Sequence, residues 1–387
     1  MHGRGRGRAR TQGIAAIERE DSPMGGQAEA GHLDIRALSA TQAQAWKDRV
    51  MPPPERIAEG TWAIPVPIPD NPLRYTYSYA LAADDGVAVI DPGWDGAERL
   101  RALTDGLAGA GWRPEDIVGI AVTHYHRDHL GLVPALLELA SEAWVALHGN
   151  DIRAVTDLVR SRREEAAAMA AGLGDALGVP PERGNEFASI FTAATSTRGD
   201  SPMAGFRWPR RVLSVSEGEL LPVPGRSIRV MWTPGHTFGH IALHDEEHGT
   251  FFSGDHVLPS ISPNIGLDVV SLSHSLGDYL GSLERMSRLP ESTAVAPAHG
   301  YRFEGLGIRA EQLLAHHDQR LAELRARAEA TADHSVYSLC QGMHWARGFD
   351  SLHGFQLYAA LLETAAHMHY AGFPVPELWR GRAEQAS

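Results

Sequence analysis

Cysteine is almost absent. Cys340 is the only one in 387 residues, so no intrachain disulfide can form, and a reduced, cytoplasmic setting is the expectation. Lysine is as scarce, with Lys47 alone among 35 basic side chains. Positive charge is short overall: 48 acidic residues leave a formal charge of −13, which weighs against broad, charge-driven attachment to nucleic acid or anionic lipid. No apolar run approaches the roughly 18 to 20 residues that span a bilayer, so no membrane partner is expected. The opening stretch, Met1 to Arg10, has the arginines of a signal-peptide start but no apolar segment after it, and an export signal is not expected.

Large apolar residues are also sparse through residue 50, where only Leu38 to Val50 looks helix-like. Pro52-Pro53-Pro54 then denies both helix and ladder hydrogen bonds. Residues 1–50 are therefore read as a disordered or weakly ordered extension, with a phosphate-binding arm as the lesser alternative, and structure is expected to begin just after the prolines.

What is there begins at Ile57. Thr61 to Val66, Tyr75 to Leu81 and Gly86 to Ile90 are rich in β-branched and aromatic residues and are separated by turn residues, the pattern of successive paired strands. Leu100, Leu103 and Leu107 follow at helical spacing and close at Gly111. Ile117 to Val122 is an apolar strand, Leu130 to Leu139 a helix, and Ala143 to Leu147 another strand. Such alternation predicts an α/β layered fold with its ligands at strand ends.

Residues 151–210 break the rhythm. Ala, Glu and Arg dominate Arg162 to Leu177, and Met169, Leu173, Phe187, Phe191, Met203 and Phe206 have no strand partners in sequence, which reads as a helical insertion acting as a lid. Strands resume at Ser227 to Trp232, Ile241 to His244, Thr250 to Ser253 and Ala294 to Pro297, with a helix over Ser271 to Arg288 between the last two. From residue 306 the pattern is helical to the end.

Chemistry concentrates in Thr123-His124-Tyr125-His126-Arg127-Asp128-His129, placed between a strand and a helix. Two imidazoles one residue apart at a strand end can grip one ion, and Asp128 and His129, where the loop enters the helix, can reach a neighbouring one. Three protein ligands plus water is the pattern of a catalytic zinc, so a third ligand to each ion is needed. His236, Asp255 and His299 stand at later strand ends.

Asp91, His124-x-His126-x-Asp128-His129, His236, Asp255 and His299 together resemble, in order, the five motifs of the metallo-β-lactamase-fold hydrolase superfamily. The resemblance covers roughly residues 57 to 305. It implies a four-layer αββα sandwich (residues 51–305, including the insertion), followed by a small carboxy-terminal helical, winged-helix-like domain (306–387). It further implies that His124, His126 and His236 take one ion, that Asp128, His129 and His299 take a second, and that Asp255 bridges them while Asp91 orients ligands from behind. Zn²⁺ suits such a donor set first, with Fe or Mn as alternatives. Two ions activate a shared water toward a carbonyl or phosphoryl centre, and Asp128 can take that water's proton. Tyr125 and Tyr301 are candidate substrate contacts, each weighed against ordinary packing. The bridging aspartate is mostly lacking in true β-lactamases, so antibiotic hydrolysis is not implied.

The motif resembles both glyoxalase-II-like thioesterases and lactamase-like enzymes with a winged-helix-like tail, some of which cut RNA. The favoured expectation is hydrolysis of a small acyl compound such as a thioester or lactone by a metal-bridging hydroxide. A metal-dependent ribonuclease or phosphodiesterase is the alternative, disfavoured by the acidic balance, and a binding or regulatory module comes last. The oligomeric state is open, a homodimer being one option.

Overall fold

The computed structural model describes residues 35–160, 172–184, 186, 208–266 and 274–376. Its strands, numbered in chain order, make two sheets. In spatial order the 7-stranded sheet is β2 (Glu55–Ala58), β3 (Thr61–Pro67), β4 (Tyr75–Ala83), β5 (Gly86–Ile90), β6 (Ile117–Ala121), β7 (Trp144–His148) and β8 (Val212–Val215). The 6-stranded sheet is β1 (Arg36–Ala37), β13 (Phe303–Glu304), β12 (Ala294–Pro297), β11 (Thr250–Gly254), β10 (Ile241–Asp245) and β9 (Ile228–Trp232).

Alternation along each strand builds the layers, because successive side chains point to opposite faces. In β4, Tyr75, Tyr77, Tyr79 and Leu81 enter the core between the sheets, where Ile228, Leu243 and Phe252 meet them. Val87 and Val89 of β5 point the other way, into a core with Leu103, Leu107 and Leu136 from α2 (Ala97–Ala110) and α4 (Val133–Leu139). Phe251 and Val295 leave the second sheet outward into a third core, under α6 (Ser275–Met286), α7 (Leu306–Ala330), α8 (Val336–Gly342) and α9 (Phe355–Tyr370). Helix, sheet, sheet and helix thus stack in four layers, the αββα sandwich. The outer apolar cluster runs without interruption across residue 305, and beyond Glu304 the described residues form helices and no strand. None of the described helices is long and apolar enough to cross a membrane.

Structure starts earlier than the triple proline suggested. β1 pairs with β13, and α1 (Ala40–Lys47) follows, capped by Ser39 Oγ, which accepts from Gln42 N at 3.2 Å. The buried Gln42 accepts the Arg302 N–H at 3.0 Å. The helix falls within the helix-like stretch Leu38 to Val50, but a two-residue strand and a helix that buries a glutamine leave little hydrophobic pattern to tie either to the fold. The helix expected over Leu130 to Leu139 is likewise two pieces, α3 (Arg127–Leu130) and α4, separated at Gly131 and Leu132.

Of the insertion, residues 151–160 of helix α5 (Gly149–Arg160), 172–184, 186 and 208–210 are described. Leu173, Leu177 and Val179 bury against the carboxy-terminal helices, and the Tyr337 N–H donates to Leu177 O at 2.9 Å. The lid reading rests largely on Arg162 to Ala171, Phe187, Phe191, Met203 and Phe206, which lie outside the described residues.

Two histidines in the helical layer make stability pH-dependent. His367 Nδ1 donates to Glu363 O at 2.8 Å, and its Nε2, 3.1 Å from His317 Nδ1, accepts from it. Burial pushes His317 down to about 2 and His367 down to about 4, so both fold as neutral rings. The unfolded chain takes up protons below about pH 6.5 that the folded chain refuses, so stability is full above that pH and falls as pH drops through it, at most roughly 1.4 kcal/mol per pH unit per histidine. Thermal melting should therefore shift downward between pH 7 and pH 5. A His317→Leu variant should show a shallower slope, and an unchanged slope would contradict this assignment.

Candidate metal centre

The carboxyl ends of β5, β6, β9, β11 and β12 meet at one edge of the sandwich, and each delivers part of the site. β5 pairs parallel with β6 and β11 parallel with β12, so their ends share a side. Asp91 follows β5, His124 to His129 follow β6, His236 follows β9, Asp255 follows β11 and His299 follows β12. The tyrosine row of β4 fixes the last of these: Tyr79 OH donates to Pro297 O at 2.7 Å and Tyr75 OH to Gly300 O at 2.9 Å, bracketing His299. Gly254 is required just ahead of Asp255. Its φ is +51°, and a Cβ there would stand 2.7 Å from His240 Nε2 and 2.8 Å from Thr123 Oγ1.

The imidazoles are oriented from outside. His299 Nδ1 donates to Tyr75 O and His236 Nδ1 to Asn264 O, both at 2.8 Å. His129 Nδ1 donates to Asp91 Oδ2 at 2.9 Å. Asp91 is locked in turn by the Thr123 N–H at 2.7 Å and the Thr123 hydroxyl at 2.8 Å, and it sits at φ +50°, a conformation that costs a non-glycine residue energy. The Thr123 oxygen, having donated its proton, accepts from His124 Nδ1 at 3.1 Å. With each Nδ1 engaged outward, the Nε2 atoms of His124, His129, His236 and His299 all point inward.

That convergence suits a cation. His126 Nδ1 lies 2.9 Å from His124 Nε2 and 3.0 Å from His236 Nε2, yet it has at most one proton to give, so one of these contacts sets lone pair against lone pair. Nitrogens about 2 Å from one shared ion stand roughly this far apart. A second group, Asp128, His129 and His299, gathers beside it, and Asp255 lies with His124 and His129 between the two. Asp255 Oδ1 is 3.2 Å from His299 Nε2 and Oδ2 is 3.5 Å from His236 Nε2, so this one carboxylate touches both groups. His129 Nε2, His299 Nε2 and Asp255 Oδ1 are buried without a hydrogen-bond partner. Buried polar atoms left this way cost stability unless something binds them, and the donor set fits two divalent ions.

Electrostatics divides the centre. Burial, reinforced by the charge of His129, holds His124 well below its ordinary value, and burial with His236 holds His126 down at about 3, so these rings stand neutral. Burial also pushes His299 down, but Asp255 and Asp128 outweigh it and raise it to about 10. The two carboxylates draw positive charge to this half of the site.

Two further residues, Thr76 and Asp151, were not singled out in sequence. Thr76 Oγ1 donates to Asp128 Oδ2 at 3.3 Å, and nothing but its position amid the β4 tyrosines marked it. His240, buried, approaches Thr233 Oγ1 at 2.7 Å and accepts from the Asp255 N–H at 3.2 Å, which makes it a brace for the Asp255 loop rather than a ligand. Asp151, in the first turn of α5, accepts from three donors on the ligand loops. Its place just past the end of β7, like the ligands past other strands, was the available signal. Tyr125 has its ring 5.2 Å from that of His126, at the site's border, while Tyr301 is half-buried against the outer helical core.

Residues 71–299 match the family Lactamase_B, the metallo-beta-lactamase superfamily. A metallo-beta-lactamase family protein from Thermus thermophilus superposes with TM-score 0.65 at 30% identity, covering 81% of this chain and 93% of that one. The lactamase-like protein adaB of Aspergillus niger is 26% identical over 265 residues, 67% of this chain but 62% of adaB, so the match spans less than two thirds of that relative. The acyl-coenzyme A thioesterase MBLAC2 of Gallus gallus is 29% identical over 274 residues, 68% of this chain and 85% of that protein. A sandwich of this layering, with metal-binding side chains at these strand ends and a family match across most of its length, places the chain in the metallo-beta-lactamase superfamily.

Proposed function

We propose that the protein is a dinuclear metal-dependent hydrolase of small acyl compounds, thioesters foremost. The observation that carries this is the set of inward-aimed, partnerless donors on His129, His299 and Asp255 beside the convergent His124, His126 and His236. His124, His126 and His236 would hold one ion, and Asp128, His129 and His299 the other, with Asp255 reaching both. Zn²⁺ suits these ligands best, ahead of Fe or Mn. Two such ions, when bound, bring a shared water toward ionisation near neutral pH and polarise the substrate's carbonyl.

The chain's own residues do the rest. Asp128, its Oδ2 held by Thr76, takes the proton of the attacking water. Tyr125, whose ring lies beside that of His126, offers a hydroxyl to the acyl oxygen, whereas Tyr301, packed against the outer helical core, does not take the contact expected of it. No thiol nucleophile competes: burial pushes Cys340 up to about 12. A thioester substrate is supported by the likeness to the avian acyl-coenzyme A thioesterase. The charge of −13 disfavours RNA, and the single cysteine fits a cytoplasmic setting.

Zinc-loaded protein assayed against acyl-CoA, acyl-glutathione, lactone and single-stranded RNA substrates should turn over at least one acyl compound. Cleavage of RNA with no acyl turnover would overturn the reading.

A further inference from the structure

The histidines that converge on the first ion come from two different sheets. His124 and His126 stand on the loop after β6, in the 7-stranded sheet, and His236 stands on the loop after β9, in the 6-stranded one. Their nitrogens must nevertheless stay about 3 Å apart to share an ion. One direct tether between the loops is the Ile241 N–H, which donates to Thr123 O at 2.8 Å.

A second tether passes through one buried carboxylate. Asp151 is 1% exposed. Its Oδ2 accepts the N–H of Tyr125, the residue between His124 and His126, at 2.9 Å. The same oxygen accepts the Thr237 hydroxyl at 3.1 Å, one residue past His236, and Oδ1 accepts the Gly239 N–H at 2.8 Å. The fit is close enough that a Cβ on Gly239 would stand 2.2 Å from Oδ1. We propose that Asp151 is a positioning residue: it clasps the two loops so that His124, His126 and His236 are preset for a single ion.

Charge-assisted bonds of this kind are about twice as strong as neutral ones, and partners behind metal ligands typically change metal affinity or activity by roughly 10–100-fold. The proposal rests on the two-metal reading of the centre, and the experiment separates them. Chelator-stripped wild type, Asp151→Asn and Thr237→Val are titrated with Zn²⁺ by calorimetry and with Co²⁺ by its d–d absorption, at a temperature well below each melting transition. Asparagine keeps the shape of Asp151 but turns an amide N–H₂ toward one of the loop donors. Asp151→Asn is expected to weaken one of the two binding steps by roughly 10–100-fold and to alter the Co²⁺ spectrum. Thr237→Val, which removes one of the three bonds, should do the same to a smaller degree.

Folded variants that bind both ions with wild-type affinity and an unchanged Co²⁺ spectrum would overturn the clasp, whatever their melting temperatures. If Asp151→Asn does not fold, Thr237→Val decides alone. Wild type that takes up no metal would instead sink the metal-centre reading, and the clasp with it.

Discussion

Replacing Asp255 with alanine should lower kcat/KM on any substrate the protein turns over by roughly 10³-fold or more, with the fold intact. Ion-derived stabilisation of developing charge is worth several kcal/mol, and each 1.36 kcal/mol is a factor of ten. Asp255 is the residue whose loss should forfeit most of it, because its two oxygens approach His299 and His129 on one side and His236 on the other. Removing it leaves Asp128 as the carboxylate beside His129 Nε2 and His299 Nε2, at 3.6 Å and 3.3 Å. A variant within tenfold of wild type, with its metal content unchanged, would mean that Asp255 does not join the two halves.

Arg226→Met should cost roughly 3–5 kcal/mol of unfolding free energy, read from urea denaturation, because it strips a buried charge of its partner. Arg226 Nη1 donates to Asp245 Oδ2 at 2.8 Å and to Thr61 Oγ1 at 3.0 Å, while Nε donates to Ala82 O and Nη2 to Glu59 O. The guanidinium is thereby held between the β2–β3 turn and the end of β4 in one sheet and the end of β10 in the other. Asp245 is fully buried, and its other close partner is His248, with Nδ1 at 3.0 Å. Removing both charges together, in Arg226→Met with Asp245→Leu, should recover much of the loss, since well-packed apolar pairs often replace a buried ion pair at little cost. A double variant no more stable than the single one would show that the guanidinium's bonds to Ala82 and Glu59, rather than its charge, hold the sheets.

The candidate ligands that the structure brings together were readable because each has a chemical type and a position that recur. Imidazole and carboxylate side chains at the ends of apolar runs cannot be explained by packing, and their order along the chain fixed a resemblance. The strands were readable for a related reason: Tyr75, Tyr77 and Tyr79 alternate as a half-buried strand must. What escaped lies in residues whose role is set by a distant partner. Gln42 is buried because Arg302 donates to it from 260 positions away, so the helix-like stretch Leu38 to Val50 carried no sign that its helix packs into the fold. Thr76 and Asp151 act through hydrogen bonds to Asp128 and to the two histidine loops; a lone threonine carries no such address, and Asp151 had only its place past the end of β7. Helical spacing marked α7 and α9: Leu313, Leu321 and Leu324 are buried with Leu314 half-buried, and Tyr358, Leu361, Leu362 and Ala365 are buried. His369, which fits the same spacing, instead stacks on His274 with ring centroids 4.9 Å apart.

Two ions held by seven side chains are the core of the proposed mechanism, and one titration tests them most directly. Chelator-stripped protein is titrated with Zn²⁺ while bound metal and hydrolysis of an acyl-CoA are followed together. The prediction is negligible hydrolysis without metal, uptake of two ions per chain, and activity that returns as both sites fill. Full hydrolysis by the stripped protein, or full activity at a single bound ion, would contradict it.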